Sequence, residues 1–196
     1  MRGAEQNRNI PGTILNMEKM DGATGMDFLN KVFFISDYIM LAQIREITGI
    51  DGTTLQNWLK RGWVGTPNKK SYTKEHLARI LIVNMMRDTM QLSRIIFTLE
   101  YINGKERQDK IVDESLLYDY ICKTLVKLSE TKNTGLGELD EIIDTVLKDY
   151  EEPVTGAYKR LKTGIRVITI TYYSAMIKAD AEAILDDLGA EKARKR

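Results

Sequence analysis

The sequence has few of the residues that build metal centres and catalytic triads. It contains one cysteine, Cys122, and one histidine, His76, among 196 residues. A single cysteine excludes an internal disulfide and a thiolate-rich metal cage. A histidine-based site would have to use His76 alone. The sequence also lacks a phosphate-cradling glycine-rich loop and a nucleophile elbow. We therefore expect no enzyme, no cofactor and no bound metal.

Long apolar runs are also missing. The longest candidate, ILIVNMM, is interrupted by Asn84 and is shorter than the ~18 apolar residues of a membrane helix. The N-terminus has no basic segment followed by an apolar one, as a secretory signal would have. We therefore expect a cytoplasmic protein of ordinary globular composition.

The charge is balanced overall but uneven along the chain. Lys and Arg number 29 against 28 Asp and Glu. Residues 41–94 hold nine basic and four acidic residues, a net charge of +5. Residues 135–152 hold one basic and seven acidic residues, a net charge of −6. This asymmetry is typical of a nucleic-acid module joined to an interaction module, although two solvated helix faces would also produce it.

Apolar residues recur at helical spacing along most of the chain, which predicts an all-α fold. Helices are expected within the ranges 23–34, 40–49, 52–60, 74–90, 92–103, 113–130, 136–150 and 156–188. Residues 165–174 are rich in β-branched and aromatic side chains, as in a strand. We predict a helix there, because a lone strand would lack a partner and the following residues continue the helical period.

These elements suggest three regions. Residues 1–22 lack sustained periodicity and are expected to form a flexible N-terminal arm. Residues 23–106 form the predicted helix-turn-helix domain with its wing. Residues 107–196 form a C-terminal helical domain, a bundle expected to mediate dimerisation or effector sensing.

The helix-turn-helix is predicted from a turn and a cap. Gly49 is placed to end the first helix, and Asp51 is a good N-cap for the second. Burial is expected for the apolar residues of this pair, Ile44, Ile47, Ile50, Leu55, Trp58 and Leu59. The second helix would then expose Gln56 and Asn57, whose amides can pair with adenine. A basic loop follows and is expected to contact phosphates.

The stretch ITGIDGTTLQNWLKRGWV resembles the winged helix of MerR-type regulators, and KKSYTKEHLARIL resembles the exit from that family's wing. The likeness covers residues 41 to 95. A longer part of the chain resembles a domain-of-unknown-function family of low-GC Gram-positive bacteria. The MerR likeness implies that helix 52–60 enters the major groove of double-stranded DNA and that the wing, residues 69–74, lies on phosphates. The nine candidate DNA-binding residues are Thr53, Thr54, Gln56, Asn57, Lys60, Arg61, Lys69, Lys70 and Lys74.

The chain departs from the MerR pattern at three points. Thr53 and Gln56 stand where that family usually carries arginines, and Asp51 stands in place of its usual serine. The wing is also several residues shorter. Because each lost phosphate contact removes attraction, we expect weak and salt-sensitive DNA binding.

Two other functions stay open at the sequence level. A protein-interaction module could retain the scaffold after losing DNA binding, and an apolar patch on the same face would favour it. A small-molecule sensor would require a cavity near Tyr172 and Tyr173 in the helical half. The two-fold symmetry common among such DNA readers predicts a homodimer.

Four single residues are expected to be structural. Trp58 is expected in the core, Tyr72 is expected to pack the wing onto the core, and Cys122 is expected to be a buried, inert thiol. His76, in the first turn of a helix, is expected on the surface.

Overall fold

The computed structural model describes residues 9–68, 71–131 and 136–194, which form eight α-helices and no strand. The helices are α1 (Gly25–Val32), α2 (Leu41–Thr48), α3 (Gly52–Lys60), α4 (Lys74–Met86), α5 (Leu92–Asn103), α6 (Glu114–Glu130), α7 (Leu139–Val146) and α8 (Ala157–Arg194). Three short 3-10 helices cover Glu18–Met20, Arg107–Asp109 and Leu136–Glu138. The prediction of an all-α chain is confirmed for these residues.

Helix α4 is the centre of the core because it is apolar on nearly every side. It packs against both α6 and α8, while α1 packs against α6 and α5 packs against α8. The sequence predicted one apolar face, formed by Leu77, Ile80, Leu81 and Met85. The structure also buries Ile82, Val83 and Met86, because neighbouring helices cover further faces of α4.

Residues 9–22 do not form the expected free arm. Ile10 is fully buried, and the carbonyl of Pro11 accepts a hydrogen bond from the buried Tyr118 hydroxyl at 2.8 Å. Gly12 has a φ of +77°, and a Cβ there would lie 2.5 Å from the carbonyl oxygen of Leu81. The segment therefore lies directly on α4, so the prediction of a flexible arm is wrong for these residues. Residues 1–8 lie outside the described part of the chain.

Residues 165–174 are helical and form part of α8. Ile165, Ile168 and Thr169 are fully buried, and their spacing of three and four residues places them on one face of a helix. The predicted helix is therefore confirmed. The β-branched residues are accommodated because they face the core, where packing outweighs their lower helix propensity.

One hydrophobic cluster joins the two predicted domains. It contains residues from Ile10 to Ile168. α4 and α5, from the first predicted domain, pack against α8 from the second. Gly164 of α8 allows this close approach, because a Cβ there would overlap the side chain of Ile102. The two regions therefore share their core.

The acidic segment 135–152 is partly neutralised within the fold. Lys162 of α8 donates to both carboxylate oxygens of Asp144 at 2.6 and 2.7 Å, and the Tyr158 hydroxyl donates at 2.7 Å. These hydrogen bonds lower the pKa of Asp144. Arg166 forms a second ion pair with Asp140 at 3.0 Å. The negative charge of α7 is thus met in part by basic residues of α8.

Candidate nucleic-acid interface

Helix α3 begins and is oriented as the sequence predicts. Gly49 follows α2 with a φ of +70°, and its N–H donates to the carbonyl of Arg45 at 2.8 Å. The Asp51 carboxylate caps α3 by accepting from the backbone N–H of Thr54 at 2.9 Å and from its hydroxyl at 2.6 Å. These bonds lower the pKa of Asp51. The left-handed Gly49 ends α2 and the extended Asp51 begins α3, and together they set the angle between the two helices.

The apolar side of α3 is seated in the core. Leu55 and Trp58 are buried, as are Ile44 of α2 and Ile50 of the turn. Leu59 and Ile47 are only half-buried. The predicted burial is therefore confirmed for Ile44, Ile50, Leu55 and Trp58 and is partial for Ile47 and Leu59.

The opposite side of α3 faces solvent. Thr53, Gln56, Asn57 and Lys60 are exposed, and their spacing of three, one and three residues places them on one helix face. Their side chains bond to no other residue within the described part of the chain. Such uncommitted amide and amine groups remain available to a partner.

The remaining candidates differ in their surroundings. Arg61 is exposed, and its guanidinium lies 4.9 Å from the ring centroid of Trp63. Thr54 is half-buried, and its hydroxyl is committed to Asp51. Lys74 donates to the side-chain oxygen of Asn30 on α1 at 2.7 Å, so it is less free than a phosphate anchor needs to be. Lys69 and Lys70 lie outside the described residues.

Short antiparallel bridges surround the loop after α3. Ile39, just before α2, pairs with Tyr72 through two hydrogen bonds of 2.9 Å. Asn68 pairs with Ser71. Tyr72 is buried, which confirms that it packs the loop onto the core. The segment before α2 and the loop after α3 are thereby held side by side.

Sequence reasoning missed the ion pair that anchors the end of α3. Arg79 donates to the carbonyl of Trp63 at 2.6 Å and pairs with Glu114 at 2.6 Å. Both side chains are mostly buried, at 19% and 11% exposed. No sequence pattern links Arg79 to Glu114, because they lie on α4 and α6 and meet only through packing. The pair ties the turn after α3 to the start of α6.

His76 is half-buried and takes part in the cap of α4. Its Nδ1 accepts from the backbone N–H of Thr73 at 3.2 Å and lies 2.8 Å from the Thr73 hydroxyl. Burial lowers the pKa of the imidazole below 6.5. The prediction of a surface residue is therefore wrong, because the ring folds back onto the residue before its own helix.

The loop between α1 and α2 presents an apolar patch that the sequence reading did not single out. Phe34 and Ile35 are 86% and 94% exposed. Tyr38 and Met40 are also exposed, although Ile39 between them is buried. The Ser36 hydroxyl and the backbone of Tyr38 hold the loop in shape through two hydrogen bonds. Because Ile39 pairs with Tyr72, this patch lies beside the predicted wing.

A cavity of about 260 Å³ lies beside Tyr172, between α8, the end of α2 and residues 12–14. Asn84 lines it and donates to the carbonyls of Gly12 and Thr48. Burial raises the pKa of Tyr172 to about 12. Tyr173 does not line this cavity. A larger cavity of about 480 Å³ lies beneath the turn after α3, next to Arg79 and Glu114.

Cys122 is buried, as predicted. Burial raises the pKa of its thiol to about 11, which keeps it protonated and unreactive at neutral pH. Across the described ranges, no three His, Cys, Asp or Glu side chains are grouped so that they could hold a metal ion. Every helix in those ranges is too short or too polar to cross a bilayer.

Comparison with known proteins gives one match. Residues 26–121 match the family model of a domain of unknown function, DUF1836. Searches of curated proteins and of solved structures found no match. The matched segment runs from α1 into α6, across the predicted domain boundary at residue 106. The resemblance to a domain-of-unknown-function family is thus confirmed for these residues, whereas the bacterial range and the MerR likeness stay predictions.

Proposed function

We propose that the protein is a DNA-binding transcription regulator that places α3 in the major groove of double-stranded DNA. The observation that carries this proposal is the exposed, uncommitted polar face of α3, formed by Thr53, Gln56, Asn57 and Lys60. Amide side chains suit adenine, and a lysine suits guanine or phosphate. A face of this kind on a well-capped helix, with its other side buried, is what base readout requires.

The arrangement around α3 gives further support. Ile39, just before α2, pairs with Tyr72 at the far side of the loop after α3, and Asn68 pairs with Ser71 within that loop. The loop is therefore held beside the helix pair, where the MerR likeness implies a wing. The loop would approach the flanking phosphates, and Arg61 at the end of α3 would add a cation there.

Binding is expected to be modest because the face carries opposing charges. Arg45, Lys60 and Arg61 are exposed, but so are Glu46 and Asp51. Few net phosphate contacts give weak binding, which is still salt-sensitive because the remaining contacts release counterions. Base contacts are therefore expected to supply a larger share of the affinity than they do in strongly basic DNA-binding proteins.

The test is selection of bound sequences from a pool of random DNA duplexes, followed by fluorescence anisotropy with the selected duplex. Asn57→Ala is expected to weaken the free energy of DNA binding by about 1–3 kcal/mol and to relax the base preference at one position of the site. The affinity of a second variant, Lys60→Ala, is compared with that of Lys159→Ala. Lys159 is the matched control because it is exposed on α8 and lies outside the proposed face. Folded protein that enriches no sequence would overturn the proposal.

A second function is favoured by the patch around Phe34 and Ile35. Two nearly fully exposed apolar side chains on an ordered loop are typical of a protein-binding surface. The protein would then use the winged-helix scaffold to bind another protein. Failure to bind DNA, together with site-specific cross-linking from position 35 to one protein and loss of that product in Phe34→Ser, would favour this function.

A further inference from the structure

The cavity beneath the turn after α3 is bordered by several separate parts of the chain. Its volume of about 480 Å³ lies within the range of about 300–1,000 Å³ that is typical of small-molecule sites. Its walls come from the turn at residues 62–65, from α4, from the end of α5 with the loop that follows, and from the start of α6. Among the described residues that line it, Val64 is the only large apolar one. The cavity therefore suits a small polar molecule.

The ion pair on the wall of this cavity uses only part of its bonding capacity. Arg79 donates through Nε to the carbonyl of Trp63 and through Nη1 to Oε1 of Glu114, and no described residue accepts from its Nη2. Glu114 as a whole is only 9% exposed. Its second oxygen, Oε2, is nevertheless buried without a hydrogen-bond donor in the described part of the chain. Because such an oxygen raises the free energy of the folded state, a ligand that supplies a donor is favoured.

We propose that this cavity binds a free α-amino acid beside the Arg79–Glu114 pair. The two side chains are in contact at 2.6 Å, so they place an unused donor next to an unused acceptor. An α-amino acid carries the complementary groups, a carboxylate and an ammonium, on one carbon atom. Its carboxylate would accept from Nη2 of Arg79, and its ammonium would donate to Oε2 of Glu114.

The opposite charges of the pair disfavour simpler ligands. A plain amine attracted to Glu114 would also approach the guanidinium of Arg79, and a plain carboxylate attracted to Arg79 would approach the carboxylate of Glu114. A ligand that carries both charges avoids these repulsions. Lys105 and Glu106 are exposed residues of the same wall, so the side chain of the bound amino acid is expected to be polar.

Binding would act on α3 through Arg79, which also holds the carbonyl of Trp63 in the turn after that helix. A bound amino acid would bridge α4 and α6 at this point and brace the turn. We expect it to raise the affinity for DNA at least about fivefold, and DNA to tighten amino-acid binding by the same factor. This consequence rests on the proposed function, whereas amino-acid binding itself requires no DNA.

The first test is differential scanning fluorimetry of the full chain with each of the common polar amino acids at about 10 mM. We expect at least one of them to raise the melting temperature by about 2 °C or more, because a ligand that binds only the folded state stabilises it. Its decarboxylated amine and its N-acetyl derivative, which each lack one of the two charges, should have no such effect. No rise with any amino acid, or an equal rise with the derivatives, would overturn the proposal.

The second test locates the bound amino acid. Gly62, Gly65 and Gly104 line this cavity, and the signals of glycine amides occupy a distinct region of a nitrogen–proton NMR spectrum. We expect these three signals to move as the amino acid is added. Gly12 lines the separate cavity beside Tyr172. Movement of the Gly12 signal in place of the other three would overturn the assignment to this cavity.

The third test uses Glu114→Gln, which retains an oxygen for Arg79 but replaces the unused acceptor with an amide donor. We expect the affinity for the amino acid, measured by isothermal titration calorimetry, to fall at least about tenfold. Glu151→Gln removes the same charge from an exposed site outside the cavity and should leave the affinity unchanged. Equal affinities of the natural chain and folded Glu114→Gln would overturn the contact. The derivatives of the first test probe the same contact in the natural chain if Glu114→Gln fails to fold.

These outcomes are separable from those of the DNA experiment. A chain that binds an amino acid but no DNA would contradict the proposed function and leave the amino-acid site in place. A chain that binds its selected duplex but no amino acid would contradict the site and leave the proposed function in place.

Discussion

At the residue scale, the pair Arg79–Glu114 is the contact that most directly positions the end of α3. Arg79→Met removes a bond to the carbonyl of Trp63 and leaves the mostly buried Glu114 carboxylate without its cation. We expect a loss of about 3 kcal/mol in the free energy of unfolding, measured by urea denaturation. The double variant Arg79→Met/Glu114→Met should recover much of that loss. Equal losses in the single and double variants would contradict this account.

His76 makes stability depend on pH. Its pKa is lowered in the folded state because burial disfavours the charged imidazole, whereas the unfolded chain titrates near 6.5. The contribution of the neutral ring is therefore present above pH 6.5 and is lost as the pH falls through the folded pKa. Urea denaturation between pH 8 and about pH 5 should show a steeper fall for the natural chain than for His76→Asn. Parallel curves would refute this role.

At the element scale, a substitution of the N-cap residue of α3 can separate the effect of its charge on DNA affinity from its effect on stability. Asp51→Asn retains a good N-cap but removes an acidic group from the proposed DNA face. We expect little change in stability and an affinity for the selected duplex about two- to fivefold higher at low salt. Glu151→Gln removes the same charge from an exposed site elsewhere and serves as the control. Equal effects of the two variants would mean that Asp51 does not face DNA.

Helices α5 and α8 pack closely because residue 164 is a glycine and has no side chain at their contact. Gly164→Val would force a side chain into Ile102, and such overpacking costs about 1–3 kcal/mol. Gly137→Val is the control, because a Cβ at Gly137 meets nothing within 4 Å. Differential scanning calorimetry should show a lowered melting temperature for the first variant only. An unchanged melting temperature would mean that α5 and α8 pack less closely.

The sequence predicted the elements better than their surroundings. Helix periods, Gly49 and the Asp51 cap are local features, and the structure confirms them. The packing of Ile10 on α4 and the pairing of Arg79 with Glu114 depend on residues far apart in the chain. A local sequence pattern therefore cannot predict these contacts. The patch at Phe34 and Ile35 is exposed because α1 ends at Val32. The apolar pair Phe33 and Phe34 had instead predicted a helix that continues to residue 34.

At the scale of the whole molecule, the shared core predicts one cooperative unfolding transition. Trp58 and Trp63 both lie in or beside α3, whereas helix content is spread over the whole chain. Tryptophan fluorescence and far-ultraviolet circular dichroism should therefore give the same urea midpoint. Separate midpoints would show that residues 23–106 and 107–196 fold as independent domains.

The central claim is that the exposed face of α3 binds DNA. The most direct measurement is the affinity for the selected duplex across a salt series, for the natural chain, Lys60→Ala and Lys159→Ala. We expect affinity to fall as salt rises, with a slope shallower by about one for Lys60→Ala and unchanged for Lys159→Ala. Folded protein that binds no duplex at low salt, or that binds equally well in all three forms, would contradict the claim.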